Sequence, residues 1–369
     1  MDRKENYAIA EVLYRLNVGS NIPGDLLEKA FNQIFKNNNL KARDTQLGAL
    51  IVGLMSRGPT IGETCALLNC AFKLDGFSPQ ERKEIKLPKG NKLIGAVGSG
   101  KKGVKTMNIS TPALLTAASL GIFTAKPVSS ATSSMTGSAD LLRTLDVKID
   151  IPAEEMGKVI RKTGFGAFPI ETLLPKFDSV YGRKFFAPTP FSFALPALAS
   201  PVKFGTFLYG LAHPNIELSV KVLKSFGVEN VMVASTSSDG IHYLDEMGVY
   251  GTTKILGMRG GEIGRILYFN PVEKLKLPHY TPLDIAEAGS TSKNVKLVID
   301  ALKGRGSKAR TDIICINAGT LLYLANKAEG LVEGYKLAKG AMKDGLPYRK
   351  LLEVIDATGG DKKSLTRFT

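Results

Sequence analysis

A short apolar run at residues 93–97 leads directly into Gly98, Ser99, Gly100, Lys101, Lys102 and Gly103, and a second apolar run rich in alanine and leucine opens at Pro112. This order reads as strand, glycine loop, helix. It restricts the chain to folds in which a strand delivers a loop to a helix amino terminus. Such a loop suits an anion, because glycines let the backbone approach closely, successive N–H groups converge, and the helix start adds free amides and a positive dipole end. Ser99, Thr106, Asn108, Ser110 and Thr111 supply polar side chains around it, and Lys101, Lys102 and Lys105 supply charge. A purely steric turn before a helix uses the same glycines. Two nucleotide signatures are missing. No Gly-Lys-Ser/Thr closes the loop, and although Gly98, Gly100 and Gly103 have dinucleotide spacing, the next strand ends in Ala125 and Lys126, where an acid is needed for the ribose.

The 369 residues are 44% hydrophobic and 22% charged, with no long uncharged apolar run, which predicts a globular chain without a membrane span. The first residues mix charges and pass straight into an amphipathic pattern, so the expected location is cytoplasmic. Cys65, Cys70 and Cys315 have neither metal-ligand nor disulfide-framework spacing and read as small buried apolar residues. His213, His242 and His279 each sit beside proline or tyrosine without a partner at ligand spacing, and structural or surface roles are expected for them. A formal charge of +15 has two readings, a phosphate-rich partner (a small phosphorylated substrate or a nucleic acid) or a solvated lysine-rich surface. The basic residues between Arg82 and Lys105 run into the glycine loop and favour the first. No zinc finger or RNA-binding motif accompanies them.

Helical periodicity covers residues 5–73, with Leu26, Leu27, Ala30, Phe31, Ile34 and Phe35 on one face, and Thr60 with Glu63 forms a capping box. Residues 76–92, rich in charge, proline and glycine, read as a linker. Beyond them β-type and helical runs alternate. The expected fold class is α/β: a small all-helical N-terminal domain, residues 1–75, and a large α/β domain, residues 76–369, with a mainly parallel central sheet covered by helices. Strands are expected at 93–97, 122–125, 231–234, 253–256 and 263–269, and helices at 138–145, 216–226, 293–302 and 320–342. The proline-rich stretch 188–201 reads as an extended crossing.

Residues 98–111 resemble the donor loop of the anthranilate phosphoribosyltransferase family, in which Gly-Thr-Gly-Gly-Asp-Gly is followed after a short gap by Thr-x-Asn-x-Ser-Thr. The resemblance continues through Ala125 and Lys126, residues 137–142, 195–201 and 243–248, and the run from Ile316 to Gly319. It implies a nucleoside phosphorylase/phosphoribosyltransferase fold whose helical domain also takes mid-chain helices, here about 165–187. It further implies a homodimer, 5-phosphoribosyl diphosphate as donor and Mg2+ as cofactor. Carried over by resemblance, Gly98, Ser99, Gly100, Asn108, Ser110, Thr111, Lys126 and Ser133 bind the donor, and Ser110, Asp245 and Glu246 hold the metal. No covalent nucleophile is implied.

The chain departs from the family at the donor loop, where Lys101 and Lys102 replace Gly-Asp, so an acid is lost and two cations are gained. It departs again at the acceptor side. Pro127, Val128, Ser129 and Ser130 follow Lys126 in place of His-Gly-Asn-Arg, Phe168 aligns with a family histidine, and Asp178 falls near the arginine that holds the anthranilate carboxylate. An aspartate repels a carboxylate. The expectation is therefore a phosphoribosyltransferase acting on an amine or heterocycle rather than anthranilate. Two alternatives stand beside it. One is a non-catalytic relative that binds nucleic acid or another polyanion through a basic cleft; the other is nucleoside phosphorolysis with inorganic phosphate held by Lys101 and Lys102.

Overall fold

The structure, a computed structural model, describes residues 7–131 and 134–368. Four helices open the chain: α1 (Tyr7–Asn17), α2 (Gly24–Lys36), α3 (Leu40–Arg57) and α4 (Ile61–Leu74). The periodic apolar face of α2 is buried at Leu27, Ala30, Phe31 and Ile34. At the start of α4 the Thr60 hydroxyl accepts from the Glu63 amide at 3.2 Å, while the Glu63 carboxylate accepts from the Thr60 amide at 2.9 Å. Glu63 does more than cap. It also accepts from the Ile22 amide at 2.8 Å and pairs with Arg57, tying the turn before α2 to the α3–α4 corner.

Seven strands form one sheet in the order β3-β2-β1-β4-β5-β6-β7. They are β1 (Leu93–Gly98), β2 (Phe123–Val128), β3 (Phe165–Pro169), β4 (Thr206–Gly210), β5 (Val231–Ser237), β6 (Thr252–Arg259) and β7 (Glu262–Phe269). Pairings from β3 to β5 are parallel, and β6 and β7 add antiparallel to that edge. The unbroken apolar sequence of β1 follows from its position, because helices cover both faces of a central parallel strand. Ile94 and Ala96 pack into a cluster with Leu114 and Leu115 of α5 (Ser110–Ser119), whereas Val97 joins Phe207, Tyr209 and the N-terminal helices on the other face.

Several expectations need correction. Strands β3 and β4 were not anticipated: each is five residues long and contains glycine, too short for a period to register. Residues 165–169 therefore belong to the sheet. The mid-chain contribution to the helical layer starts only after α6 (Ser138–Thr144), α7 (Ala153–Thr163) and β3; there α8 (Ile170–Leu173) and α9 (Pro175–Tyr181) bring Leu174, Phe177 and Val180 into the core of α1–α4. Asp75 caps α9 by accepting from the amides of Lys176 and Phe177 at 2.8 and 3.0 Å, and Lys184 pairs with Asp44 at 2.7 Å. The expected helix at 320–342 is two helices, Lys308–Leu324 and Leu331–Lys343, because Asn326 turns the chain with φ 56°. The stretch 188–201 is not extended. It folds into short helical turns at Pro190–Phe193 and Leu195–Leu198, with proline in the first turn, where a missing N–H costs nothing.

Candidate functional site

The carboxyl ends of β1 and β4 lie side by side, with Gly98 paired to Gly210, and the loop after β5 is pressed against both. A Cβ on Gly210 would stand 1.6 Å from the Asp245 carbonyl oxygen, and one on Gly98 would stand 2.4 Å from Asp245 Oδ2. Both positions therefore require glycine. The Asp245 carboxylate accepts the Gly100 amide at 2.8 Å, so the donor loop already holds one oxyanion, contributed by the protein itself. Asn317 secures the acidic loop from beneath: its Oδ1 accepts the Met247 amide at 3.1 Å, and its Nδ2 donates to the carbonyls of Met247 and Ile313.

Around this contact the structure gathers most of the expected residues. Ser99 is buried, its amide donates to the Gly210 carbonyl at 2.8 Å and its hydroxyl accepts from the Ala212 amide at 3.0 Å. Lys126 is buried rather than a strand-end surface residue, and its Nζ donates to the Ser110 hydroxyl at 2.7 Å. Burial pushes its pKa down, against the pull of Glu246 and Asp245. Glu246 is buried in the same spot; burial and the neighbouring Asp245 charge push its pKa up, partly offset by Lys102 and Lys126. Lys102 donates to Thr106 Oγ1 at 2.5 Å, and Asn108 donates to the Thr136 carbonyl at 3.2 Å. At the start of α5 no side chain caps the helix, and the buried Thr111 hydroxyl has no partner among the described residues. Among the described residues the amides of Asn108, Ser110 and Thr111 are equally unengaged there, which leaves an amino terminus ready for an anion.

Two residues lie elsewhere than expected. Lys101 reaches across the cleft to Tyr181 instead of the loop: its Nζ donates to the Tyr181 hydroxyl at 2.7 Å and lies 4.4 Å from that ring's centroid. Phe168 pairs with Pro127 on β2, one position beyond the Lys126–Ala167 pair. Successive strand residues face opposite ways, so Phe168 points into the apolar cluster of Ala125 and Ile160, on the other face of the sheet from Lys126. Ser133 lies outside the described residues. Of the histidines, His213 packs edge-on against Phe193 and His242 pairs with Asp239 at 2.7 Å.

Where β2 ends, Ser129 donates its amide to Ser138 Oγ at 3.3 Å, and the Ser130 amide donates to Glu171 Oε1 at 2.6 Å. The second carboxylate oxygen of Glu171 is buried without a partner among the described residues. Burial raises the pKa of Glu171, and the charge of Asp178 raises it further. Asp178, half-buried on α9, is itself raised by burial, with Arg183 opposing. Glu171, Tyr181 and Asn317 were not among the expected site residues. For Tyr181 the spacing of Phe177 and Tyr181 was the available signal, since a four-residue step places two aromatics on one helical face.

A family profile described as "Glycosyl transferase family, a/b domain" matches residues 90–348. The anthranilate phosphoribosyltransferase of Caldanaerobacter subterraneus subsp. tengcongensis is 30% identical over 317 residues, covering 84% of this chain and 87% of the relative. That of Paracidovorax citrulli is 28% identical over 321 residues, covering 84% and 86%. Among solved structures, the anthranilate phosphoribosyltransferase of Thermus thermophilus matches with a TM-score of 0.72 at 23% identity, covering 94% of this chain and 99% of that one. The Saccharomyces cerevisiae enzyme in complex with PRPP and Mg matches at 0.75 and 18%, covering 95% and 97%. With a sheet that delivers its strand ends to a glycine loop and an acidic loop, and with a profile match over most of its length, this chain belongs to the anthranilate phosphoribosyltransferase family of glycosyl transferases.

Proposed function

We propose that the chain transfers a 5-phosphoribosyl group from 5-phosphoribosyl diphosphate to a nitrogen acceptor other than anthranilate, an amine or a nitrogen heterocycle. The bond from the sugar anomeric carbon to the diphosphate oxygen breaks, a carbon–nitrogen bond forms, and the acceptor gives up a proton as diphosphate leaves. The observation that carries this reading is the convergence of Asp245, Glu246, Lys102, Lys126 and Ser110 beside the uncapped start of α5, where the Thr111 hydroxyl is buried and unpaired. The free amides of Asn108, Ser110 and Thr111 bind diphosphate oxygens, and Lys102 adds a cation. Ser133 and the side chain of Ser99 join the same donor site on this reading.

Two carboxylates and a hydroxyl form a hard-oxygen set that suits Mg2+ carried in on a diphosphate, so Ser110, Asp245 and Glu246 would hold it. Bound there, the ion neutralises charge on the leaving diphosphate. The protein's own share is to fix the donor, exclude water and stabilise the developing charge by preorganised donors.

On the acceptor side, Glu171 and Asp178 offer carboxylates where a carboxylate-bearing acceptor needs a cation. An unpaired buried oxygen costs about 1–3 kcal/mol until a donor reaches it, and an acceptor N–H supplies one. The inward engagement of Lys101 on Tyr181 and Lys102 on Thr106 favours a small ligand over a displayed polyanion surface. A two-part organisation, helical residues 1–75 and α/β residues 76–369, and a homodimer through the exposed Tyr7, Tyr14 and Val18 of the α1 region complete the reading. Among the described residues no helix is long and apolar enough to cross a membrane.

Calorimetry with 5-phosphoribosyl diphosphate tests the donor half, with Mg2+-dependent binding expected and no heat at millimolar donor refuting it. Diphosphate release is then followed with anilines, benzimidazoles and anthranilate. Turnover with anthranilate alone would remove the acceptor assignment, whereas salt-sensitive binding of DNA or RNA without donor binding would establish the polyanion alternative.

A further inference from the structure

A cavity of about 850 Å3 opens where residues 76–86 pass over α7 and the turn before β4, with Leu173 of α8 in its lining. No residue of the donor loop or the acidic loop lines this cavity. The volume is that of pockets that enclose small organic molecules. Phe77, Ile85, Leu173 and Val202 make an apolar lining, and the covering segment is pinned beside it, with the Lys83 amide donating to the Pro201 carbonyl at 3.0 Å and the Lys203 amide to the Lys83 carbonyl at 2.9 Å.

One half-buried charge faces this space. Arg82 donates through Nε to the Pro79 carbonyl at 2.6 Å, and its two terminal nitrogens have no partner among the described residues. Burial alone lowers its pKa, with no carboxylate acting against it; Glu81, Glu84 and Glu154 stand exposed at the rim. A half-buried guanidinium whose terminal nitrogens have no protein partner among the described residues is matched by a planar or tetrahedral oxyanion. Arg161, exposed on α7 and without a partner among the described residues, also lines the cavity beside Gly157. A Cβ on Gly157 would meet Arg161 Nη1 at 3.8 Å and Ile85 Cδ1 and Cγ1 at 3.9 Å, ordinary contact distances, so the position accepts a side chain without a clash at Cβ.

We propose that this cavity is a second binding site, for an organic anion whose carboxylate or phosphate head meets Arg82 and Arg161 and whose apolar body lies against Phe77, Ile85, Leu173 and Val202. The site is independent of the transfer reaction and accepts its ligand whether or not the donor crevice is filled.

Calorimetry on the full chain with 1-naphthoate, 1-naphthyl phosphate and neutral 1-naphthol tests it. One anion per chain is expected to bind, the tighter of the two identifying the head group, with 1-naphthol at least tenfold weaker. Arg82→Gln weakens the anion at least tenfold. Gly157→Leu fills the cavity on a helix that tolerates leucine better than glycine, so it abolishes binding while the thermal unfolding midpoint stays level or rises. Saturating pyrophosphate with Mg2+ leaves the affinity unchanged. The proposal is overturned if neither anion binds, if Gly157→Leu binds as the natural chain does, or if pyrophosphate displaces the probe.

Discussion

Lys101 clasps Tyr181 across the cleft, its ammonium 2.7 Å from the phenol oxygen and 4.4 Å from the ring centroid. Tyr181 is a rigid anchor, stacked on Phe177 and Phe185 and hydrogen-bonded to Thr189 at 2.5 Å. The clasp holds Lys101 at φ 57°, a left-handed conformation that costs roughly 1–2 kcal/mol for a residue with a Cβ. Lys101→Met should lose the cation–π contact, worth about 0.5–2 kcal/mol, and speed amide hydrogen exchange at residues 99–103 and 175–181 together. Tyr181→Phe should give part of the same change, with a non-additive double mutant. Donor affinity should fall at least tenfold in Lys102→Met and less than twofold in Lys101→Met; equal losses would place Lys101 on the donor instead.

Gly210→Ala tests the contact between β4 and the acidic loop. Its methyl must displace the Asp245 carbonyl, which is backbone and cannot yield as a flexible side chain does. Overpacking of this kind typically costs about 1–3 kcal/mol, and here it also moves the Asp245 carboxylate off the Gly100 amide. Mg2+-dependent donor binding should fall by two orders of magnitude or more. Gly257→Ala on β6, where a Cβ meets nothing within 4 Å, should leave binding intact and serves as the control.

Asn317 acts at one remove, since beyond its own helix its side chain bonds the backbone of Met247, next to Asp245 and Glu246. Replacing it with alanine strands the buried Met247 amide and carbonyl, at about 1–3 kcal/mol for each group left unpaired. Urea unfolding should register a loss of at least about 2 kcal/mol. Donor affinity should weaken further than the fully folded fraction accounts for.

The strand, loop and helix from 93 to 119 were legible because each signal is local: an apolar run, glycines, then an uninterrupted helix former. The capping box at Thr60 and Glu63 was legible for the same reason, but its extension to Ile22 and Arg57 was not, since those partners arrive only on folding. β3 and β4 are specified by their neighbours in the sheet rather than by their own five residues. Phe168 shows how narrow the margin is: a single step along β3, from Ala167 to Phe168, exchanges the face shared with Lys126 for the opposite one. Lys126 was identified as a residue but not as a buried one, and Lys101 was identified as a cation but not as a clasp. Both depend on α5 and α9 closing over the loop.

Glu63 links stability to pH. Burial works against its ionisation, yet the hydrogen bonds from Arg57 and from the Thr60 and Ile22 amides outweigh it, so the folded pKa lies below the ordinary value of 4.5. A carboxyl held below its unfolded value contributes stability that is complete above the unfolded pKa and is lost as pH falls through the folded one. Glu63→Gln should therefore destabilise the protein most near pH 7, by about 3 kcal/mol, because the largely buried Arg57 loses its counter-ion and keeps only neutral acceptors, the Ser20 carbonyl and Asn21 Oδ1. The difference from the natural chain should shrink steadily below pH 4.5. Denaturant unfolding at pH 7, 5 and 3.5 measures it, and a constant difference across that range would remove Glu63 as the cause.

On the proposed acceptor site, acceptor choice would turn on Glu171 and Asp178. Glu171 is already bound through one oxygen to the Ser130 amide, which aims the other, unpaired oxygen and fixes what that oxygen can accept. Glu171→Gln keeps the Ser130 contact but turns one acceptor atom into a donor, so kcat/KM for an amine or heterocyclic acceptor should fall tenfold or more while donor affinity stays level. Asp178→Asn removes the second charge without changing shape and should cost less, about threefold. Asp178→Arg reverses the sign of the field, and a charged partner for a carboxylate is worth about 2–5 kcal/mol when buried. That variant should gain measurable use of anthranilate and lose the natural acceptor. Gain without loss would mean the two acceptors occupy different places, and neither gain nor loss would mean that Asp178 does not face the acceptor at all.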